Sequence, residues 1–568
     1  MSADDVRRPT RDAADTGAVV LDARAPRDAG KDDPASAGGN GPASAGGNGP
    51  ASAGGNGPAS AGGSGAGNHR PAAPASSSAP QQAPSSAPGR PGLGRETRPT
   101  ALAASLLVGA AVWIIPTPQG LEPGAWHLFA IFLATIVGII AKAAPMGALS
   151  IIAMAVCAAT GVLAPDGEAG DRVSAALSGF SNSTIWLIVS AFFAARAVIS
   201  SGLGERLAYL FVKVFGRSSL GLAYGLGLAD LVTSPAIPSN TARSGYVYPV
   251  MMSVAKAFGS EPERPGTHRR LGSYLALTTY NLNLAVSVIF FTGAAPNAMS
   301  ARLAAASGVG VDWPGWLAAS AVPGVLGVIA VPLVVYALNK PEIRRTPDAS
   351  AMASRELARL GPVTAHERVT LVVFLMMIVL WMIGESLMSA TTVALLGLGV
   401  LLLTGALTWE QMKAERSAWD TLTWFAALVM MGTYLNKLGF IGWLGDQIGA
   451  RMGGLGTVAA FAALTGVYAL THYLFASGTA HTASMFAVFL GVGLALGLPG
   501  VPLTVFLGAI PTLMGCLTHY GNGPAPLYFG SGYVELGAWW RTGLVLGIVH
   551  MAIWLVVGPI WWSIIGVW

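Results

Sequence analysis

Residues 234–250 read SPAIPSNTARSGYVYPV, and residues 474–485 read LFASGTAHTASM. Each holds a short polar run inside a much longer apolar stretch, 219–258 in the first case and 455–498 in the second. A single membrane crossing takes about 20 residues, so neither stretch is one simple crossing. Two apolar arms around a polar break read as a re-entrant hairpin, because irregular backbone at membrane depth is tolerated only where protein buries it. Ser239 and Ser477, Thr241 and Thr479, Ala242 and Ala480 are each 238 residues apart, and so are Trp186 and Trp424. Gly202 and Gly439 match at 237, which puts a one-residue shift between them. The constant offset marks an internal repeat, the first copy at about 145–305 and the second at about 389–531.

Composition agrees with a membrane reading. Of 568 residues, 53% are hydrophobic and 11% charged, with net charge +5 and mean hydropathy +0.56. Residues 1–98 hold 19 of the 61 charges, so the remaining 470 share only 42. Soluble domains carry roughly 25% charged residues, which excludes an ordinary cytosolic enzyme and, despite a pI of 9.2, a nucleic-acid binder. Cys157 and Cys516 are the only cysteines, both in apolar runs, and make neither a disulfide framework nor a metal cluster. Residues 1–98 repeat Asn-Gly-Pro-Ala-Ser-Ala-Gly-Gly from Asn40, Asn48 and Asn56. Such a composition cannot offset the entropy of ordering, and is expected to form a disordered cytoplasmic tail ahead of a membrane domain at 99–568.

Loop charges predict the orientation. Lys340, Arg344, Arg345, Arg355, Arg359 and Arg368 cluster in 339–368, and Arg264, Arg269 and Arg270 in 261–270. Both loops belong on the cytoplasmic side by the positive-inside rule. Asp166, Glu168 and Asp171 suit the opposite side. With the N-terminus inside, the chain makes six crossings before residue 340 and five after it, and Trp568 ends outside. The two hairpins then enter from opposite sides. The expected fold is an all-α polytopic membrane protein with inverted repeats, eleven crossings and two opposed re-entrant hairpins, preceded by a disordered tail. Inverted repeats with broken helices are the signature of secondary transporters.

The hairpin tips are the candidate site. Pro235 and Pro238 end the first arm, and Ser239, Asn240 and Thr241 fall where the N-cap of the next helix belongs. Ser477, Gly478 and Thr479 repeat the arrangement. Two helix N-termini facing each other suit a ligand with a carboxylate at each end. Arg243 and His481 are also 238 apart. A cation in an apolar span costs roughly 2.5–3.5 kcal/mol and is rare without a partner, so both are expected to face the dianion, the alternatives being that Arg243 snorkels or pairs with Asp230 of the preceding arm, at a depth nearly a helical span away, and that His481 is a satisfied core histidine. Two further breaks, Thr292-Gly293-Ala-Ala-Pro296-Asn297 and Thr518-His519-Tyr520-Gly521-Asn522-Gly523-Pro524, expose backbone and polar groups at membrane depth. Pro296, Asn297, Thr518 and His519 join the candidate binding residues. Neither an HExxH metal pair nor a GxSxG elbow occurs, so no enzyme activity, cofactor or metal site is expected.

The same motifs, with SGFSNSTIWLIVSAFFAARAVISSGLGERLAYLF (178–211) and LTHYGNGPAPLYFGSGYV (517–534), resemble the divalent anion/sodium symporter superfamily. The resemblance covers about 95–568 and is nearest to plastid 2-oxoglutarate/malate translocators and bacterial citrate/succinate and tartrate/succinate exchangers. It implies a homodimer in the plasma (inner) membrane, elevator-type alternating access, and di- or tricarboxylate substrates of the malate, 2-oxoglutarate, succinate or citrate type. Its tip motifs fall on Ser239, Asn240 and Thr241, and on Ser477, Gly478 and Thr479. Gly478 departs from the asparagine of sodium-coupled members, and Arg243 and His481 look like cationic substitutes for sodium. Anion exchange is therefore expected, with Na⁺-coupled symport the alternative and Asn240, Gly293, Gly478 and Thr518 the coupling positions it would use.

Overall fold

A computed structural model describes residues 97–264, 266–384, 387–444, 447 and 456–568. Of the expected tail, residues 1–96 lie outside the described residues. Among the described residues the chain is helical throughout, and the sole β pairing is an isolated bridge between Ser218 and Arg345. Seven described helices are long and apolar enough to cross a membrane: Pro123–Ile140, Ser183–Ser201, Trp313–Leu338, Ala365–Ile383, Thr457–Leu474, Gly478–Ala495 and Leu536–Ile564. Shorter apolar helices run at Pro99–Ile114, Met146–Thr160, Ala390–Leu403 and Gly500–Cys516. Leu107, Ile114, Val372 and Leu403 stand exposed on these helices, as lipid contact requires. The molecule is an all-α polytopic membrane protein.

The repeat is visible in the element boundaries. The first arm, Ser219–Thr233, corresponds to Thr457–Thr471. A one-turn 3₁₀ segment follows each arm, Ser234–Ala236 and His472–Leu474. The second arms are Asn240–Ala257 and Gly478–Ala495. Every one of these bounds is offset by 238, so the same local signals start and stop the chain in both copies. Gly272–Ser287 and Ala295–Ala306 flank a break at 288–294, so of the stretch expected at Thr292–Asn297 the last three residues already belong to the second helix. Gly500–Leu513 and Ala525–Phe529 flank the one expected at Thr518–Pro524.

Loop contacts gather the basic residues on one face. Ser219 N–H donates to Arg344 O at 3.1 Å, Thr346 N–H to Arg217 O at 3.0 Å, and Ile343 N–H to Arg270 O at 3.0 Å. Arg541 donates to Leu338 O and Asn339 Oδ1 beside them. The structure also departs from the sequence reading here. The segment 339–368, read as a loop, contains the amphipathic helix Ala349–Leu360, and a second such helix spans Leu203–Phe215. They pack together, and Arg206 Nε joins the second to Glu367 Oε1 at 2.6 Å. Their apolar faces are too narrow to read as crossings, and they bury against each other instead.

Candidate functional site

Both tips end one helix and cap the next. Ser239 is the N-cap of Asn240–Ala257 and accepts from Ala242 N–H at 3.2 Å. Ser477 caps Gly478–Ala495 and accepts from Ala480 N–H at 3.4 Å. One orphan donor is satisfied at each end, and the remaining first-turn N–H groups keep their partial positive charge. Asn240 Nδ2 lies buried at the first tip with no hydrogen-bond partner in the protein. Thr241 is exposed at the same tip, and Thr479 is half-buried at the other.

The breaks are drawn to the tips. Ala295 N–H donates to Pro238 O at 3.1 Å, and Thr292 Oγ1–H to Pro235 O at 2.6 Å, so the first break is fastened to the first tip. The second break meets the same tip, for a methyl on Gly523 would collide with the Thr241 hydroxyl. It also reaches the other hairpin, where a methyl on Gly521 would lie 3.4 Å from His472 Nε2. Thr518 Oγ1 is buried nearby without a partner, and the His472 ring is buried against the Gly521 backbone. His519 packs at a tilt against Phe529, ring centroids 4.7 Å apart, with Nδ1 unpaired. His472 was not singled out in the sequence. Its only signal was position, directly after the first arm of the second hairpin, where the first hairpin has Ser234.

Arg243 is placed differently from the expectation. It is fully buried, and its Nε–H donates to Asp230 Oδ1 at 2.7 Å. Nη1 donates to Ile237 O and Gly293 O, each at 2.6 Å, and Nη2 donates to the Ser287 hydroxyl. Asp230 Oδ2 also accepts from Asn283 Nδ2 at 2.9 Å. The charge is balanced inside the hairpin, which corrects the expectation that Arg243 offers it to a ligand. The reason is the chain reversal at Pro235–Pro238, which returns Arg243 to the depth of Asp230. His481 follows the same plan with a hydroxyl and an aromatic ring as its partners. Its Nε2 pairs with Thr471 Oγ1 at 2.9 Å, and its ring stacks on Tyr468 with centroids 4.3 Å apart.

The first break keeps few free carbonyls. Asn297 Nδ2 donates to Ser287 O and Phe290 O, each at 2.8 Å. Trp316 Nε1–H donates to Val288 O at 3.1 Å, and Ser320 Oγ–H to Ile289 O at 2.7 Å. Pro296 occupies the first turn of Ala295–Ala306, where its missing N–H is not needed. Gly478 sits tightly, since a Cβ there would meet Pro511 O at 2.9 Å. A cavity of about 540 Å³ opens beside the second tip, lined by Phe475, Ser477, Ala480, Tyr520, Lys142 and Arg98 among others.

Comparison with known proteins follows the same lines. The family described as "Sodium:sulfate symporter transmembrane region" matches residues 96–568. "Putative malate transporter YflS" of Bacillus subtilis (strain 168) is 47% identical over 470 residues, which cover 82% of this chain and 96% of that one. "Dicarboxylate transporter 1, chloroplastic" of Spinacia oleracea is 44% identical over 472 residues, 82% of this chain and 81% of that one. "Citrate/succinate antiporter" of Escherichia coli (strain K12) is 36% identical over 482 residues, 82% of this chain and 98% of that one.

Proposed function

Because the chain belongs to the sodium:sulfate symporter transmembrane family, we propose that it is a secondary transporter of small di- and tricarboxylates, of the malate, 2-oxoglutarate, succinate or citrate type. The observation that carries this reading is the matched pair of helix N-termini capped by Ser239 and Ser477. Each offers backbone N–H groups to one carboxylate, and the chemistry requires no catalytic group. Asn240, Thr241, Thr479, Thr518 and His519 complete the ligand shell, with Gly478 lending only its backbone. The names of the relatives, which include a dicarboxylate transporter and a citrate/succinate antiporter, favour the same substrates.

Exchange is the coupling mode we favour. The Arg243 guanidinium touches the Ile237 and Gly293 carbonyls, so a fixed cation stands where a coupling sodium ion would need those oxygens. Gly478 brings no side-chain ligand to the second tip. Na⁺-coupled symport, the second reading, retains Asn240, Thr518 and the Gly478 backbone as ligands and is supported by the family's description. In either mode the carrier works as a homodimer in the plasma membrane by an elevator movement, with eleven crossings, two opposed re-entrant hairpins, the N-terminus cytoplasmic and the C-terminus outside.

Proteoliposomes loaded with malate, succinate, citrate or 2-oxoglutarate test both points. Uptake of labelled succinate is expected only into loaded vesicles, and equally in sodium and choline buffers. Uptake into empty vesicles that stops in choline would replace exchange by symport. No uptake of any of these acids under either condition would overturn the transport reading.

A further inference from the structure

The Arg243 result leaves the ligand's negative charge without the partner that the sequence suggested. Two cations from elsewhere in the chain line the cavity beside the second tip. Arg98 precedes Pro99–Ile114, and Lys142 follows Pro123–Ile140. Arg98 N–H donates to Ala143 O at 2.7 Å, which holds the two segments together. Both side chains are exposed and line the cavity of about 540 Å³ that Ser477, Ala480 and Tyr520 close from the other side. Among the described residues no acidic residue lines it, and neither cation is in an ion pair.

Lys142 is held there against its backbone preference. Its φ is +51°, and every other described residue with positive φ is a glycine. Lys142 N–H donates to Ile139 O at 3.1 Å and Ala143 N–H to Gly138 O at 2.9 Å, the paired bonds of a Schellman helix end. That motif favours glycine at the left-handed position, because a Cβ is strained there. A basic residue that merely flanked a span could stand one position away without this strain. Lys142 is also the only Lys or Arg between Arg98 and Arg172.

We propose that Arg98 and Lys142 form an anion-docking subsite at one mouth of the carrier, which holds a carboxylate of the di- or tricarboxylate as it passes to or from the second tip. The proposal rests on the transport reading and adds a sided kinetic role for two residues outside the tips. Two uncompensated cations in a walled recess raise the local concentration of a small dianion, an effect that salt screens. The subsite therefore acts on capture from one face.

The test uses Lys142→Gly, which keeps the turn and relieves its strain, with Lys142→Arg as the charge-preserving control and Arg98→Gln as the second probe. Exchange is measured in inverted and right-side-out vesicles, so that succinate meets each face separately. For Lys142→Gly or Arg98→Gln we expect KM at the Arg98 face to rise about two- to fivefold, the range of an exposed charge contact. KM at the opposite face and kcat hold, thermal stability holds for Arg98→Gln and holds or rises for Lys142→Gly, and Lys142→Arg keeps the wild-type KM. Added salt raises the wild-type KM at that face and flattens in the double variant. An unchanged KM, or an equal rise at both faces, overturns the proposal. Repeating the assay in phosphatidylcholine and phosphatidylglycerol vesicles separates the remaining source of anions. An effect confined to phosphatidylglycerol assigns the cations to lipid headgroups and also overturns it. Wild-type vesicles that take up no di- or tricarboxylate would instead defeat the transport reading itself.

Discussion

Asp230 and Arg243 stand 13 residues apart, about 20 Å along a straight helix, yet Arg243 Nε lies 2.7 Å from Asp230 Oδ1. The positions 238 further on are Tyr468 and His481, whose rings stack with centroids 4.3 Å apart. Both hairpins are thus closed by a contact between the same two repeat positions. One copy uses an ion pair and the other a stacked pair. The shared requirement is that the second arm's first turn be fastened to the first arm, so that the capped helix end is held in place.

That relationship sets the outcome of breaking the ion pair. Removing one partner leaves a buried charge uncompensated, which costs about 3–5 kcal/mol. Arg243→Ala and Asp230→Ala should each lower the melting temperature of purified protein sharply and reduce folded yield. The double variant Asp230→Leu/Arg243→Met should recover much of that loss, because well-packed apolar residues often replace a buried pair at little cost. A stable, monodisperse Arg243→Ala protein that had lost only ligand binding would return Arg243 to the ligand.

Asn240 and Ser239 should separate affinity from stability. The Ser239 hydroxyl accepts from Ala242 N–H at 3.2 Å, so Ser239→Ala gives up a cap worth about 1 kcal/mol of stability. Asn240 Nδ2 has no protein partner to lose. Asn240→Ala should keep the melting temperature of the free protein while weakening dicarboxylate binding roughly tenfold or more, since hydrogen bonds to charged groups are worth about 1.5–3 kcal/mol. Calorimetric titration with succinate beside thermal unfolding reads both quantities. A destabilised Asn240→Ala protein with unchanged affinity would remove Asn240 from the site.

These distinctions show how far the sequence carries. The caps at Ser239 and Ser477, the two breaks and the 238-residue offset were legible, because Pro, Gly and Ser act on their own backbone and leave a local mark. The Asp230–Arg243 contact was legible only as the less favoured alternative. Counting residues along the apolar stretch put the two at different depths, and only the folded-back chain places them side by side. Lys142 was invisible for another reason. A lone lysine after a span reads as a flank, and its left-handed φ is a property of the turn. The helix Ala349–Leu360 is hard to see in the sequence because its apolar face is only Met352, Ala353, Leu357 and Leu360, interleaved with Arg355 and Arg359, and a short face of that kind gains its stability only from the helix it packs on.

Gly478 bears on coupling. A Cβ there would meet Pro511 O at 2.9 Å, and a carbonyl of the neighbouring helix has little freedom to retreat. Gly478→Asn should therefore cost about 1–3 kcal/mol through overpacking. It should lower transport without making uptake sodium-dependent. Succinate uptake in sodium and choline buffers, beside a melting curve, checks this. Sodium-stimulated uptake by a stable Gly478→Asn carrier would mean that the second tip is a sodium site lacking only its side chain.

Thr241 and Gly523 offer a test of whether the first tip and the second break act together. They touch across 282 residues of sequence, and any side chain at 523 would press on the Thr241 hydroxyl. Gly523→Ala should weaken substrate binding by displacing that hydroxyl, and Thr241→Ala should weaken it by removing the group. If both changes act on one contact, the double variant should bind no worse than the poorer single variant, with a coupling of roughly 0.5–3 kcal/mol in the double-mutant cycle. Strictly additive losses would separate the two residues and leave the second break outside the ligand shell. The cycle works from affinities measured on folded protein, so it needs no assumption about which conformation of the carrier binds first.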